Sequence, residues 1–281
     1  MKRRRTPYLF RGKQGKKLIK IMICAAVGLA ALIVIIALLT RKPFAYDSPE
    51  VKTVEANGVL RVGVRNDIKG LSYGMEGLEI EIAKRLAAAV LPDMPSEYAL
   101  ELVEVNTKTC VARLDDNSID MAVCMMRKDG YRDYVYSSAY YTDKVYVAVK
   151  EGNRHTDINK MTVGYVNKTP GATAIKNFIG DPKAYDTAIR AYASYPELLD
   201  ALTRDEIDGA VLQGTYFMTY KDKYALLKHD MTVGKIDYAI ACSTDSPALI
   251  EIANRMLYDM QKSGELDALI VKFNLEKSSD E

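Results

Sequence analysis

The chain has 281 residues, 48% of them hydrophobic, with 39 Lys or Arg against 37 Asp or Glu, four Cys and no Trp. Eleven of the bases fall within the first 42 residues, so the 239 that follow hold 28 bases and 37 acids, a net of −9. That balance argues against nucleic acid as a partner, and the length suffices for one large or two medium domains with a full core.

Residues 1–20 carry nine Lys or Arg and no acid, and nineteen uncharged, mostly aliphatic residues follow from Ile21 to Leu39. As a helix that run would span about 28 Å, the thickness of a hydrocarbon core. A basic flank stays in the cytoplasm, so the reading is a cytoplasmic tail (1–20), a transmembrane anchor (21–39) and an extracytoplasmic remainder. A cleavable signal peptide is the competing reading, but the apolar run is long and no small-x-small site precedes Asp47. Cys24 follows Ile23 and precedes most of the apolar run, the wrong order for lipoprotein processing. Residues 40–54, with Pro43, Ser48 and Pro49 and no periodicity, read as a tether.

From there strands and helices alternate. Val59–Arg65 reads as a strand, and the helix expected over Gly77–Leu91 sets Leu78, Ile82, Leu86 and Val90 on one face. Strand Glu101–Asn106, helix Thr109–Asp115 and strand Met121–Met126 complete a βαβαβ set, the signature of a parallel sheet. After strand Lys144–Lys150 the theme restarts with strand Met161–Asn167, helix Gly171–Ile179, strand Arg190–Ser194, helix Tyr195–Glu206 and strand Gly209–Gln213. Ser194 and Glu197 form an S-x-x-E start signal for the helix at Tyr195. Lys235–Ser243 is a strand, and Pro247–Asn274 is helical with a break at Gly264.

Cys110, Cys124 and Cys242 lie beyond the anchor and read as small buried thiols, with one disulfide among them as the alternative. His155 and His229 stand apart in polar surroundings, and no metal or cofactor motif is evident. Asp120–Tyr141 is the most informative stretch, because a buried strand runs into a turn carrying Arg127, Asp129 and Arg132.

Four segments carry a family likeness by their order and spacing: GVLRVGVRNDIKGLSYG with GLEIEIAKRLA; LDDNSIDMAV leading to GYRDYVYSSAYYTD; YPELLDALTRDEIDGAVLQG; and YAIACSTDSPALIEIANRMLYDMQKSGELDALIVKF. Together they resemble the extracytoplasmic solute-binding proteins of polar amino-acid ABC transporters, which have the type II periplasmic binding fold. The resemblance implies an α/β clamshell, with lobe 1 at 55–146 and 239–276, lobe 2 at 147–238 and a polar tail at 277–281. Two strands would cross between the lobes, near Lys144–Lys150 and Lys235–Ala241, and the last helices would return to lobe 1. Closure on a ligand between the lobes would present it to an ABC permease.

The resemblance also assigns roles. Arg132, twelve residues after Asp120, falls where the family clamps the ligand's α-carboxylate, a task suited to a planar guanidinium. Tyr73 falls where a ring packs over the ligand. Arg65 falls where the ligand side chain is read, and a cation there favours an anion, unless it pairs with Asp67 or Glu76. Thr169 and Thr173 fall at the donor-rich helix start of the second lobe. The chain departs from the family at Met125, Arg127 and Asp129, where a glycine and two threonines are usual. It departs again at Gln213, where an aspartate usually meets the ligand's ammonium. Either Asp129 takes the amine, or the ligand has none, or the site has become structural. Arg65, Arg127 and Arg132 together suit a ligand with two negative groups. The expected function is capture of a small polar or anionic solute, an acidic amino acid or related carboxylate, for an ABC importer. A cyclohexadienyl-dehydratase-like enzyme with Asp129 as its acid, or a ligand-sensing module, are the alternatives.

Overall fold

The computed structural model describes residues 24–25, 28–29, 44–95, 97–128, 130–180 and 189–277. It divides into a unit ending at Asp47 and one running from Ser48 to Glu281. In the first unit the 3-10 turn Phe44–Asp47 is described, together with helical residues at 24–25 and 28–29. Most of the expected anchor and all of the basic tail lie outside the described residues, and no described helix is long and apolar enough to cross a membrane.

The second unit opens on a helix where a tether was expected, α1 (Pro49–Asn57). Ser48 Oγ accepts from Val51 N, proline occupies the first turn and Gly58 closes the end at φ 68°. Its only buried residues are Val51 and Val54, so the apolar stripe is too narrow to show as periodicity.

The first half of the sheet is built from β1 (Leu60–Val64), β4 (Leu100–Glu104) and β5 (Met121–Val123), with the two-residue strands β2 (Asp67–Ile68) and β3 (Ser72–Tyr73) as a separate pair. Strand β1 runs parallel to both β4 and β5. Helix α2 (Leu78–Val90) buries the predicted face of Leu78, Ile82, Leu86 and Val90, at ~1.5–3 kcal/mol for each such side chain. Helix α3 (Thr107–Asp115) begins at a capping box in which Asn106 and Thr109 bond each other's backbone N–H.

The second half holds β7 (Val163–Val166), α4 (Pro170–Ile179), β8 (Ile189–Tyr192), α5 (Tyr195–Thr203), β9 (Gly209–Gln213) and α6 (Gly214–Tyr220). Here β7 is parallel to β8 and β9. Leu198, Leu199 and Leu202 of α5 pack with Ile207, Leu212 and Phe217 in its core. The start signal of α5 is half as expected: Ser194 Oγ accepts from Glu197 N, but Glu197 accepts from Ala193 N instead of Ser194 N.

Two strands far longer than expected, β6 (Tyr134–Val149) and β10 (Leu227–Ser243), pair antiparallel and join the halves. The C-terminal part of β10 meets β5 at Ala241↔Ala122, whereas Val145–Val149 of β6 pair with β9. The order is β4-β1-β5-β10-β6-β9-β7-β8, a two-lobed α/β arrangement. Helix α7 (Pro247–Ser263) packs on α2, α1 and β6 and leads through Gly264, at φ 77°, into α8 (Glu265–Lys272), which also touches α2. The last helices therefore return to the first lobe.

Candidate ligand-binding site

Strand β5 stops three residues before the predicted end because Met125 adopts φ 58°, the left-handed region. Its N–H donates to Glu79 Oε1 at 2.8 Å, and the carboxylate also accepts from Tyr140 Oη at 2.5 Å and Ser72 Oγ at 2.7 Å. Burial raises the pKa of Glu79, while these donors favour its charged form. A buried carboxylate on α2 thus fixes the loop that lines a neighbouring cavity.

That cavity, of about 630 Å³, lies among Arg65, Met125, Arg127 and Tyr131 from one lobe, Lys168, Thr169, Thr173, Lys176, Tyr195, Gln213 and Tyr216 from the other, and Tyr238 of β10. The volume suits a small molecule. Its described lining carries four cations, Arg65, Arg127, Lys168 and Lys176, and no Asp or Glu.

Arg65 follows β1 directly and forks onto Asp67, Nε to Oδ1 at 2.8 Å and the terminal nitrogen to Oδ2 at 2.6 Å. The pairing left open by the sequence is therefore made with Asp67, and part of the guanidinium's charge is already answered. Thr169 caps α4: its Oγ1 accepts from Ala172 N at 3.3 Å and donates to Val166 O at 2.7 Å. Gln213 closes β9 and is 2% exposed. Its Oε1 accepts from Tyr195 Oη at 2.5 Å, and the Tyr195 ring stacks on Tyr216 with centroids 4.3 Å apart. Tyr238, 1% exposed, bears the one buried side-chain polar atom without a hydrogen-bond partner among the described residues; Gln213 lies close by without forming a bond of good geometry. Burial pushes the phenols of Tyr195, Tyr216 and Tyr238 up, so they stay neutral hydroxyls.

Of the expected residues, Arg65, Arg127, Thr169, Thr173 and Gln213 come together in the lining. Arg132 does not: it is exposed, outside the lining, two residues before β6 begins at the buried Tyr134. Asp120, from which its place was counted, is bound to Arg61 through both carboxylate oxygens. Tyr73 is also displaced from the expected role, 55% exposed on β3 and outside the lining. Asp129 lies outside the described residues. Sequence reasoning missed Lys168, Lys176, Tyr195, Tyr216 and Tyr238. The available signal was 19 Tyr with no Trp, several placed where strands hand over to helices.

No described group of three or more His, Cys, Asp or Glu could hold a metal. His229 is buried, against expectation, with Nε2 bonded to Thr156 O and Nδ1 accepting from Met231 N. Cys110, Cys124 and Cys242 are buried free thiols, as read from the sequence, and Cys110 Sγ lies 2.8 Å from Cys124 Sγ.

The family model for the bacterial extracellular solute-binding proteins, family 3, matches residues 60–276. The chain belongs to that family. No curated protein is similar enough to count as a match. Among solved structures, the chain is similar to an amino acid ABC transporter substrate-binding protein from Streptococcus pneumoniae bound to L-arginine. That likeness has 22% identity and TM-score 0.62, covering 80% of this chain and 100% of that one. It is similar to the solute receptor for L-cysteine of Neisseria gonorrhoeae, with 19% identity and TM-score 0.61 over 79% of this chain and 92% of that one. An ancestral amino-acid-binding protein, a precursor of cyclohexadienyl dehydratase, aligns with 22% identity and TM-score 0.61 over 79% of this chain and 98% of that one. At these identities the likeness speaks to the fold, which is the family's two-lobed α/β clamshell.

Proposed function

We propose that this family member is a membrane-tethered receptor that captures a small anionic solute, an acidic amino acid or related carboxylate, and delivers it to an ABC importer. The observation that carries this reading is the charge of the cavity: four cations and no acid line its described wall. Within a partly dry crevice such cations attract a carboxylate strongly, since charge interactions grow as water is excluded. Arg127 and the two lysines would hold the charged groups, with Thr169 and Gln213 supplying directional bonds and Arg65 acting in concert with Asp67. The apolar run Ile21–Leu39 behind a basic flank supports the tether.

Isothermal titration of the purified protein with aspartate, glutamate and aliphatic dicarboxylates tests the reading. Arg127→Ala is expected to weaken binding by at least tenfold, about 1.4 kcal/mol. Absence of heat with every carboxylate would overturn it. A catalytic alternative draws on the likeness to the dehydratase precursor, and turnover of prephenate or arogenate by the purified protein would favour it.

A further inference from the structure

The cavity's inner wall differs in kind from its rim. Gln213, at the end of β9, is neutral, almost fully buried and part of the lining. Its carbonyl oxygen accepts from the phenol of Tyr195, Oη to Oε1, at 2.5 Å. With one lone pair of Oε1 used, Gln213 adds to the cavity wall its amide NH₂, a donor that an Asp there would lack. Beside it, the Tyr238 hydroxyl is buried and without a partner in the described structure. A buried hydroxyl in that condition is open to a group that enters the cavity.

Carboxylates that could offset an ammonium's charge are absent from the described lining. Asp67 is engaged by Arg65. Glu79 and Asp143 are buried outside the cavity: Glu79 serves Met125, Tyr140 and Ser72, and Asp143 accepts from Thr215 N at 3.3 Å and Thr215 Oγ1 at 2.7 Å. The Thr169 hydroxyl already donates to Val166 O and accepts from Ala172 N. An ammonium would face Lys168 and Lys176 across this cavity with no described carboxylate to offset it.

We infer that the Gln213–Tyr238 wall is a subsite for a hydrogen-bond acceptor, and that the solute is a dicarboxylate bearing an oxo or hydroxyl oxygen where an amino acid bears its ammonium. The inference rests on the reading of this cavity as the solute site and narrows it to a chemical class. Gln213 and Tyr238 are then the specificity-determining pair, and the cations hold the carboxylates.

Titration of the full-length protein with matched sets differing only at the second carbon tests it: L-glutamate, 2-hydroxyglutarate and 2-oxoglutarate, then L-aspartate and malate. The oxygen-bearing member of each set is expected to bind at least tenfold more tightly. Gln213→Glu, nearly the same shape, is expected to reverse the order, and Tyr238→Phe to weaken the oxo and hydroxy acids more than the amino acid. An amino acid bound as tightly as its oxygen counterpart would overturn the inference and leave the importer reading standing. Binding of neither class would sink both. If either variant fails to fold, the wild-type comparison decides alone.

Discussion

Asp143 is a buried carboxyl with a clear titration signature. It sits on β6, fully buried, and its pKa is pushed up to about 7 by burial, with Thr215 partly opposing the shift. A carboxyl whose folded pKa exceeds its ordinary value of 3.8 retains its proton in the folded state after the unfolded chain has lost it. Its contribution is therefore fully present below about pH 4 and falls away as the pH rises to about 7, by ~1 kcal/mol per unit. Asp143→Asn should flatten that fall in chemical-denaturation curves measured from pH 4 to 8; an unchanged slope would count against the assignment. The Cys110–Cys124 pair is also out of water, and the hydrogen bond with Cys110 together with burial raises the Cys124 thiol well above its ordinary value. Both should resist iodoacetamide in the native protein and react on unfolding, which mass spectrometry of alkylated peptides reads directly. At this scale the sequence was legible where a polar side chain sits at or just after a strand end, as with Arg65 after β1 and Gln213 at the end of β9, both of which line the cavity. It misled at Arg132, since counting from Asp120 fixes distance along the chain and not direction after the turn. The tyrosines were hidden because the same residue type serves equally in cores and on surfaces.

Among the elements, α2 owes its entry to Gly77, held at φ 132°, where an added Cβ would fall 2.1 Å from Leu71 O. Gly77→Ala should cost several kcal/mol, because it combines a backbone conformation closed to L-residues with a clash against main chain. A thermal midpoint within a degree or two of the parent would refute this. The alternation of strands and helices was readable because buried strands show continuous apolar runs and α2 a wide apolar stripe. Elements held by tertiary contacts were not: α1 buries just two valines, and α6 begins directly at the end of β9 with no side-chain cap. The lengths of β6 and β10 escaped too, since polar residues such as Thr142, Asp143 and Lys144 interrupt the pattern where β6 passes from one half to the other.

For the molecule as a whole, the shared strands govern cooperativity. Because β6 and β10 belong to both halves and bond along most of their length, neither half can unravel without breaking the other's sheet. Calorimetry should show one transition for the Ser48–Glu281 unit, and two resolved transitions would mean the halves are independent. A solute at a hundredfold excess over its Kd should raise that unit's stability by ~2.7 kcal/mol, provided it binds the folded form alone.

The hydrogen-bond ladder between β6 and β10 slips register twice in sequence near its middle, between Tyr238 and Ala239 and again between Ala239 and Ala241. Tyr238 stands at the first of these slips, so its ring is rooted in backbone that belongs to both jaws. A guest held by that hydroxyl would therefore pull on main chain common to both halves.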